Sequence, residues 1–181
     1  VDTANDPHEI SLDENVTRSA MHPADQFEAF RDLSERKGWS AEEIAARFGG
    51  SAAVVRQRLR LANLSPRLID LYRAEDLGLD QLMAFAVTDD HARQEQAYEQ
   101  LSYNRSPAYI RQALTATKVQ AGDRRAVFVG VEAYEAAGGA VTRDLFTDDR
   151  GVWLDDVALL DRLVLEKLTA MAEGERARGG W

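Results

Sequence analysis

Between residues 23 and 118 apolar side chains recur at three- and four-residue spacing, broken at short intervals by polar or glycine-bearing stretches. Pro23 suits a first helical position, and Phe27, Phe30 and Leu33 form one apolar stripe running to a Lys37-Gly38 stop. Ser40-Ala-Glu-Glu43 is a capping box, in which the Ser hydroxyl and the Glu carboxylate each satisfy a free backbone amide. It predicts a helix over 41–48 with Ile44, Ala45 and Phe48 as its apolar face. Gly49-Gly50 ends that helix, and Ser51 is placed to cap another over about 52–63. Ser65-Pro66 repeats the cap-plus-proline start for a helix to Arg73. Further helices are predicted at about 79–87, at 90–102 behind Asp89-Asp90, and from Ser106-Pro107 to about Val119. That makes seven helices joined by short turns.

The pattern changes near Ala121-Gly122-Asp123. Ala126 to Gly130 predicts a short strand, 131–137 a helical turn ended by Gly138-Gly139, and Val141 to Phe146 a second strand. Asp148-Asp149-Arg150-Gly151 reads as a turn before Val152-Trp153-Leu154. Asp155 or Asp156 then caps a last helix carrying Leu159, Leu160, Leu163 and Leu168. The expected fold is therefore mainly α, a multi-helical core with a small α+β C-terminal segment. The domains expected are 21–120 and 121–172, with a flexible tail over 173–181.

Composition narrows the function classes. Of 181 residues 45% are apolar, enough for a packed core, and no apolar run approaches membrane-spanning length. The absence of cysteine excludes disulfides, thiolate metal sites and cysteine nucleophiles. Three scattered histidines, His8, His22 and His91, suggest no metal centre. A cytoplasmic protein is expected. The net charge of −9 would argue against nucleic acid, but it is unevenly spread. Residues 36–73 hold eight basic and three acidic side chains, a net +5, which leaves −14 on the remainder. Over a Debye length of about 8–10 Å the local field decides what a phosphate backbone meets.

The basic stretch coincides with the pattern helix, glycine turn, arginine-rich helix. That is the form of a helix-turn-helix, whose second helix enters the major groove of double-stranded DNA. At roughly 100° per residue with Val55 at zero, Leu59, Ala62 and Val54 fall on the core side. Ala53, Arg56, Gln57 and Arg60 fall between about 100° and 200°, on the outward side. These types suit base reading. The arginine fork pairs with guanine, glutamine with adenine, and a small side chain permits close approach. Arg58 lies on the apolar side and is expected to snorkel or meet a carboxylate. Arg47, Ser51 and Arg67 are the candidates for phosphate contacts.

Several of these motifs together resemble the ParB/KorB family of plasmid and chromosome partition proteins. Glu14-Asn-Val-Thr-Arg18 resembles its ENxxR motif, and His22 to Phe30 its following proline-led helix. Gly38 to Gly49 is similar to its first helix-turn-helix element. Ser51 to Leu64, with Leu59-Arg60-Leu61, is similar to its recognition helix, and Leu79 to Phe85 stands where the family has a short helix. The resemblance covers about residues 10–118. It implies a binder of a centromere-like inverted repeat, acting as a homodimer on DNA, associated with nucleoid or plasmid and partnered by a partition ATPase. A KorB-like transcriptional repressor, or a module that binds the ATPase rather than DNA, is the alternative. The resemblance also implies that 1–20 are a linker and the remnant of an N-terminal domain that binds CTP and magnesium. Glu14, Asn15 and Arg18 would stand at that nucleotide and metal site. The family's glycine- and arginine-rich phosphate motif is absent, so no cofactor is expected in this segment; CTP and magnesium are expected only of a longer protein.

Catalysis is not expected. Asp89-Asp90-His91, Asp148-Asp149 and Asp155-Asp156 sit where caps and turns call for Asp, and His22 precedes a helix-opening proline. No serine stands in a nucleophile elbow and no glycine loop has phosphate-cradle spacing.

Overall fold

The computed structural model describes residues 21–147 and 151–179, and the chain divides into two compact units, up to Ile110 and from Arg111. The first contains α1 (Pro23–Lys37), α2 (Ala41–Phe48), α3 (Ala52–Ala62), α4 (Pro66–Arg73), α5 (Leu79–Phe85) and α6 (His91–Gln100), and α7 (Pro107–Thr115) begins in it. Local chemistry starts these helices. His22 Nδ1 accepts from the Ala24 N–H at 3.1 Å, which makes it the cap of α1, and Asp90 accepts from the Arg93 N–H at 3.1 Å to cap α6.

The apolar stripe of α1 meets α2 and α3 in one cluster of Phe30, Leu33, Ile44, Ala45 and Val55, flanked by Trp39, Phe48 and Leu59. Aromatic pairs tie the other helices together. Phe27 stacks on Tyr72 of α4 at 6.3 Å, and Phe85 of α5 meets Tyr98 of α6 at 6.4 Å. Ser65 departs from the expected cap, because its hydroxyl donates to the Glu95 carboxylate and makes no cap bond. Its own N–H goes to the fully buried Gln94, whose Oε1 accepts at 2.8 Å while Nε2 donates to the Thr88 carbonyl at 2.6 Å.

The second unit contains β1 (Val119–Gln120), α8 (Arg124–Val129), α9 (Val131–Ala136), β2 (Val141–Arg143), β3 (Val152–Leu154) and α10 (Val157–Ala177). The strands form an antiparallel sheet in the order β1-β3-β2, with Leu154 paired to both Val119 and Val141. Its core is Val119, Ala126, Val129, Tyr134, Leu154 and Leu160.

The expected strand at 126–130 is a helix. Asp123 caps it by accepting from the Arg125 N–H at 2.9 Å, and Gly130 ends it at φ +90°. One edge of that turn, Ala126 and Val129, is buried while Val127 is exposed, a three-residue spacing that so short an apolar run does not distinguish from a strand. The helix expected to reach Val119 stops at Thr115, which frees Val119 to pair with Leu154. The second strand ends at Arg143 because the Asp144 carboxylate is buried, bound to Arg111 Nε at 2.7 Å and the Phe146 N–H at 2.9 Å. Asp156 caps α10 as expected, accepting from the Leu159 N–H at 2.9 Å. The helix then runs through Gly174 to Ala177, beyond the Ala172 end expected.

Candidate nucleic-acid interface

The helix-turn-helix is built from its caps. The Ser40 N–H donates to Glu43 Oε2 at 2.7 Å and the Glu43 N–H to Ser40 Oγ at 3.2 Å. The Ser40 amide, then the Ser40 hydroxyl, hold the Glu43 carboxyl below the usual carboxylate range. Gly49 and Gly50 make the turn at φ +82° and +98°, where a side chain would strain the backbone. Ser51 restarts the chain as a helix, its Oγ accepting from the Val54 N–H at 3.3 Å.

Along α3 burial begins one turn in. Ala53 is exposed, as expected of a close-approach residue. Val54, expected in the core, is 38% exposed beside it, because burial starts only at Val55. Arg56 is exposed and its Nη1 donates to Glu42 Oε1 of α2 at 2.6 Å. Gln57 is half-buried. Arg58 snorkels as expected, its guanidinium 5.7 Å from the Phe30 ring, and burial pulls its pKa below the ordinary value.

Arg60 departs from the outward-facing expectation. Its side chain is 23% exposed, with Nε donating to the Ala86 carbonyl at 2.8 Å and Nη1 to Asp89 at 2.7 Å. The turn after α5 lies against this end of α3, a neighbour that a helical wheel does not contain. Arg60→Ala strips the partner from a backbone carbonyl and a carboxylate at once, and is expected to cost about 1–3 kcal/mol of stability. Chemical denaturation would measure this. DNA affinity should then fall alike for all sequences, and relaxation at a single base position instead would mean that Arg60 leaves Asp89 to read DNA.

Among the phosphate candidates, Arg47 and Ser51 are exposed on either side of the glycine turn. Arg67 stands on α4 and is tied to α6, Nη1 lying 2.8 Å from Glu99 and 3.8 Å from Glu95, with its guanidinium 5.6 Å from the Tyr98 ring. The Glu99 hydrogen bond raises its pKa. The structure thus brings Arg47, Ser51, Ala53 and Arg56 to the turn and the first half of α3, and assigns Arg60 to partners in the turn after α5 and Arg67 to partners in α6. Glu14, Asn15 and Arg18 lie outside the described residues. Sequence reasoning missed the carboxylates that hold the arginines, Glu42, Asp89 and Glu99. They stand 14, 29 and 32 residues from their partners, out of reach of any local pattern. Among the described residues no His, Asp and Glu group of three or more converges to hold a metal, and no helix is long and apolar enough to cross a membrane.

Comparison with known proteins agrees with this geometry. Residues 19–106 match the model of the ParB HTH domain, a span that holds α1 to α6. Two curated relatives, each named Uncharacterized protein YubM, from Escherichia coli O157:H7 and Escherichia coli strain K12, are 35% identical over 177 residues. The alignments cover 94% of this chain and 26% of each relative, so the chain spans about a quarter of their length. No solved structure gives a significant match. A capped helix, a two-glycine turn and an arginine-bearing second helix stand within the matched span, so the first unit carries a helix-turn-helix similar to the ParB HTH domain.

Proposed function

We propose that this domain recognises a specific double-stranded DNA site through the first half of α3, and that the site is a centromere-like inverted repeat used in plasmid or chromosome partition. The observation that carries this reading is the exposed cluster Ala53, Arg56, Arg47 and Ser51 around the glycine turn of a ParB-type helix-turn-helix. An inverted repeat presents two equivalent half-sites, so two copies of the chain bind together. The chain acts by binding, without chemistry of its own, on nucleoid or plasmid DNA in the cytoplasm, with a partition ATPase as protein partner.

The test is selection of bound fragments from genomic and plasmid DNA at low and high salt. One inverted repeat that survives high salt is expected, and its position beside partition genes rather than in promoters would separate segregation from repression. Arg56→Ala should lose about 1–3 kcal/mol on that site and relax one base position. Weak binding to every sequence that vanishes with salt would overturn the reading.

A further inference from the structure

Arg56, the most outward arginine of α3, does not stand bare. Glu42 reaches it from α2 at 2.6 Å, and both side chains are largely exposed, at 55% and 65%. The pair is placed by the capping box. Glu42 and Glu43 are adjacent in the first turn of α2, but the Glu43 carboxylate is committed to the Ser40 amide. Glu42 is thereby the acid left to project, towards the face that carries Arg56. Its own backbone N–H, then the Arg56 guanidinium, hold its carboxyl below the usual range, so it stays anionic near neutral pH. An exposed pair of this kind contributes little to folding stability. Its effect lies in what Arg56 meets next.

We infer that Glu42 is a specificity-determining residue, one that holds Arg56 in place and makes phosphate a poor substitute for a base edge. The inference rests on the DNA-reading function proposed above. A phosphate that takes Arg56 must either displace the carboxylate bonded to its Nη1 or use the remaining donors beside it, and in both cases it lies next to a second negative charge. A guanine edge is uncharged, so Arg56 can use its remaining donors there while Glu42 keeps one of them. Glu42 therefore weakens binding to arbitrary DNA more than binding to the selected site. A net charge of +5 over residues 36–73 makes such a brake useful, since the non-specific affinity of a basic surface is almost wholly electrostatic.

The experiment is titration of the full chain and its Glu42→Gln variant with the selected site and with a random duplex, across a salt series. Glu132→Gln, in the second unit, makes the same change in net charge as a control. Glu42→Gln is expected to tighten the random duplex by about threefold to tenfold, with a steeper salt slope, and the selected site by clearly less. In an Arg56→Ala background the same change should do no more than Glu132→Gln. Equal tightening on both duplexes, no tightening, or the same effect without Arg56 would overturn the role of Glu42 while leaving site recognition standing. A wild-type chain that prefers no site would overturn both. Thermal melts of the variants, expected unchanged because Ser40 and Glu43 still cap α2, separate these outcomes from unfolding.

Discussion

Phe30→Ala should dismantle the helix-turn-helix, with a loss of about 3–5 kcal/mol, a large part of what holds a domain of this size together. Phe30 is 1% exposed and sits in the cluster through which α1 carries both α2 and α3. Its ring meets Phe48 at 5.8 Å and lies beneath the Arg58 guanidinium. Truncation leaves a cavity beside a cation that has already shed part of its water and makes no ion pair among the described residues. The cost therefore exceeds the transfer of a ring alone. Hydrogen exchange of the α3 amides is the measurement, with DNA binding beside it. Phe30→Leu retains much of the volume and should retain both protection and binding. Unchanged α3 protection in Phe30→Ala would show that the cluster does not hold the reading helix.

The second large effect is expected in the other unit. Tyr134 is fully buried, and its hydroxyl accepts from the Asp156 N–H at 2.8 Å. Asp156 in turn caps α10, so one side chain both fills the core and fixes where the long helix starts. Gly139 packs against the ring so closely that a Cβ there would collide with it. Tyr134→Ala should cost about 3–5 kcal/mol and release exchange protection from β3 and the first turns of α10. Tyr134→Phe keeps the ring and loses only the hydroxyl, and should cost about 1–2 kcal/mol. Equal costs for the two variants would mean that the hydroxyl, rather than the packing, holds this unit.

What was legible in the chain was what is decided within a few residues. Ser40, Ser51, Asp90 and Asp156 each cap the helix their sequence context predicts, because a cap is a bond to an amide two or three residues on. Pro23 and Pro66 stand at first helical positions for a similar reason. Residues 126–130 went the other way. Val, Phe and Val suit a strand intrinsically, and only the Asp123 cap and the packing of Ala126 and Val129 make them helical. The reading surface divided along the same line. Ala53 and Arg56 are exposed as the helical period requires, whereas Arg60 is decided by Ala86 and Asp89 and Val54 by where burial of α3 begins. The Arg56 partner was equally hidden, since Glu42 becomes its neighbour only when the glycine turn folds α2 against α3.

The buried Gln94 amide bears on how DNA-binding measurements on this chain are to be interpreted. It joins the residue before α4 to the turn after α5, the turn whose Asp89 and Ala86 grip Arg60. A neutral amide has no charge for salt to screen and does not titrate in the accessible pH range. That link behind the reading helix is therefore indifferent to ionic strengths that strip phosphates from arginines. The salt dependence of binding then arises at the charged side chains, the phosphate contacts and the pairs Arg56–Glu42 and Arg60–Asp89, and not at this buried join.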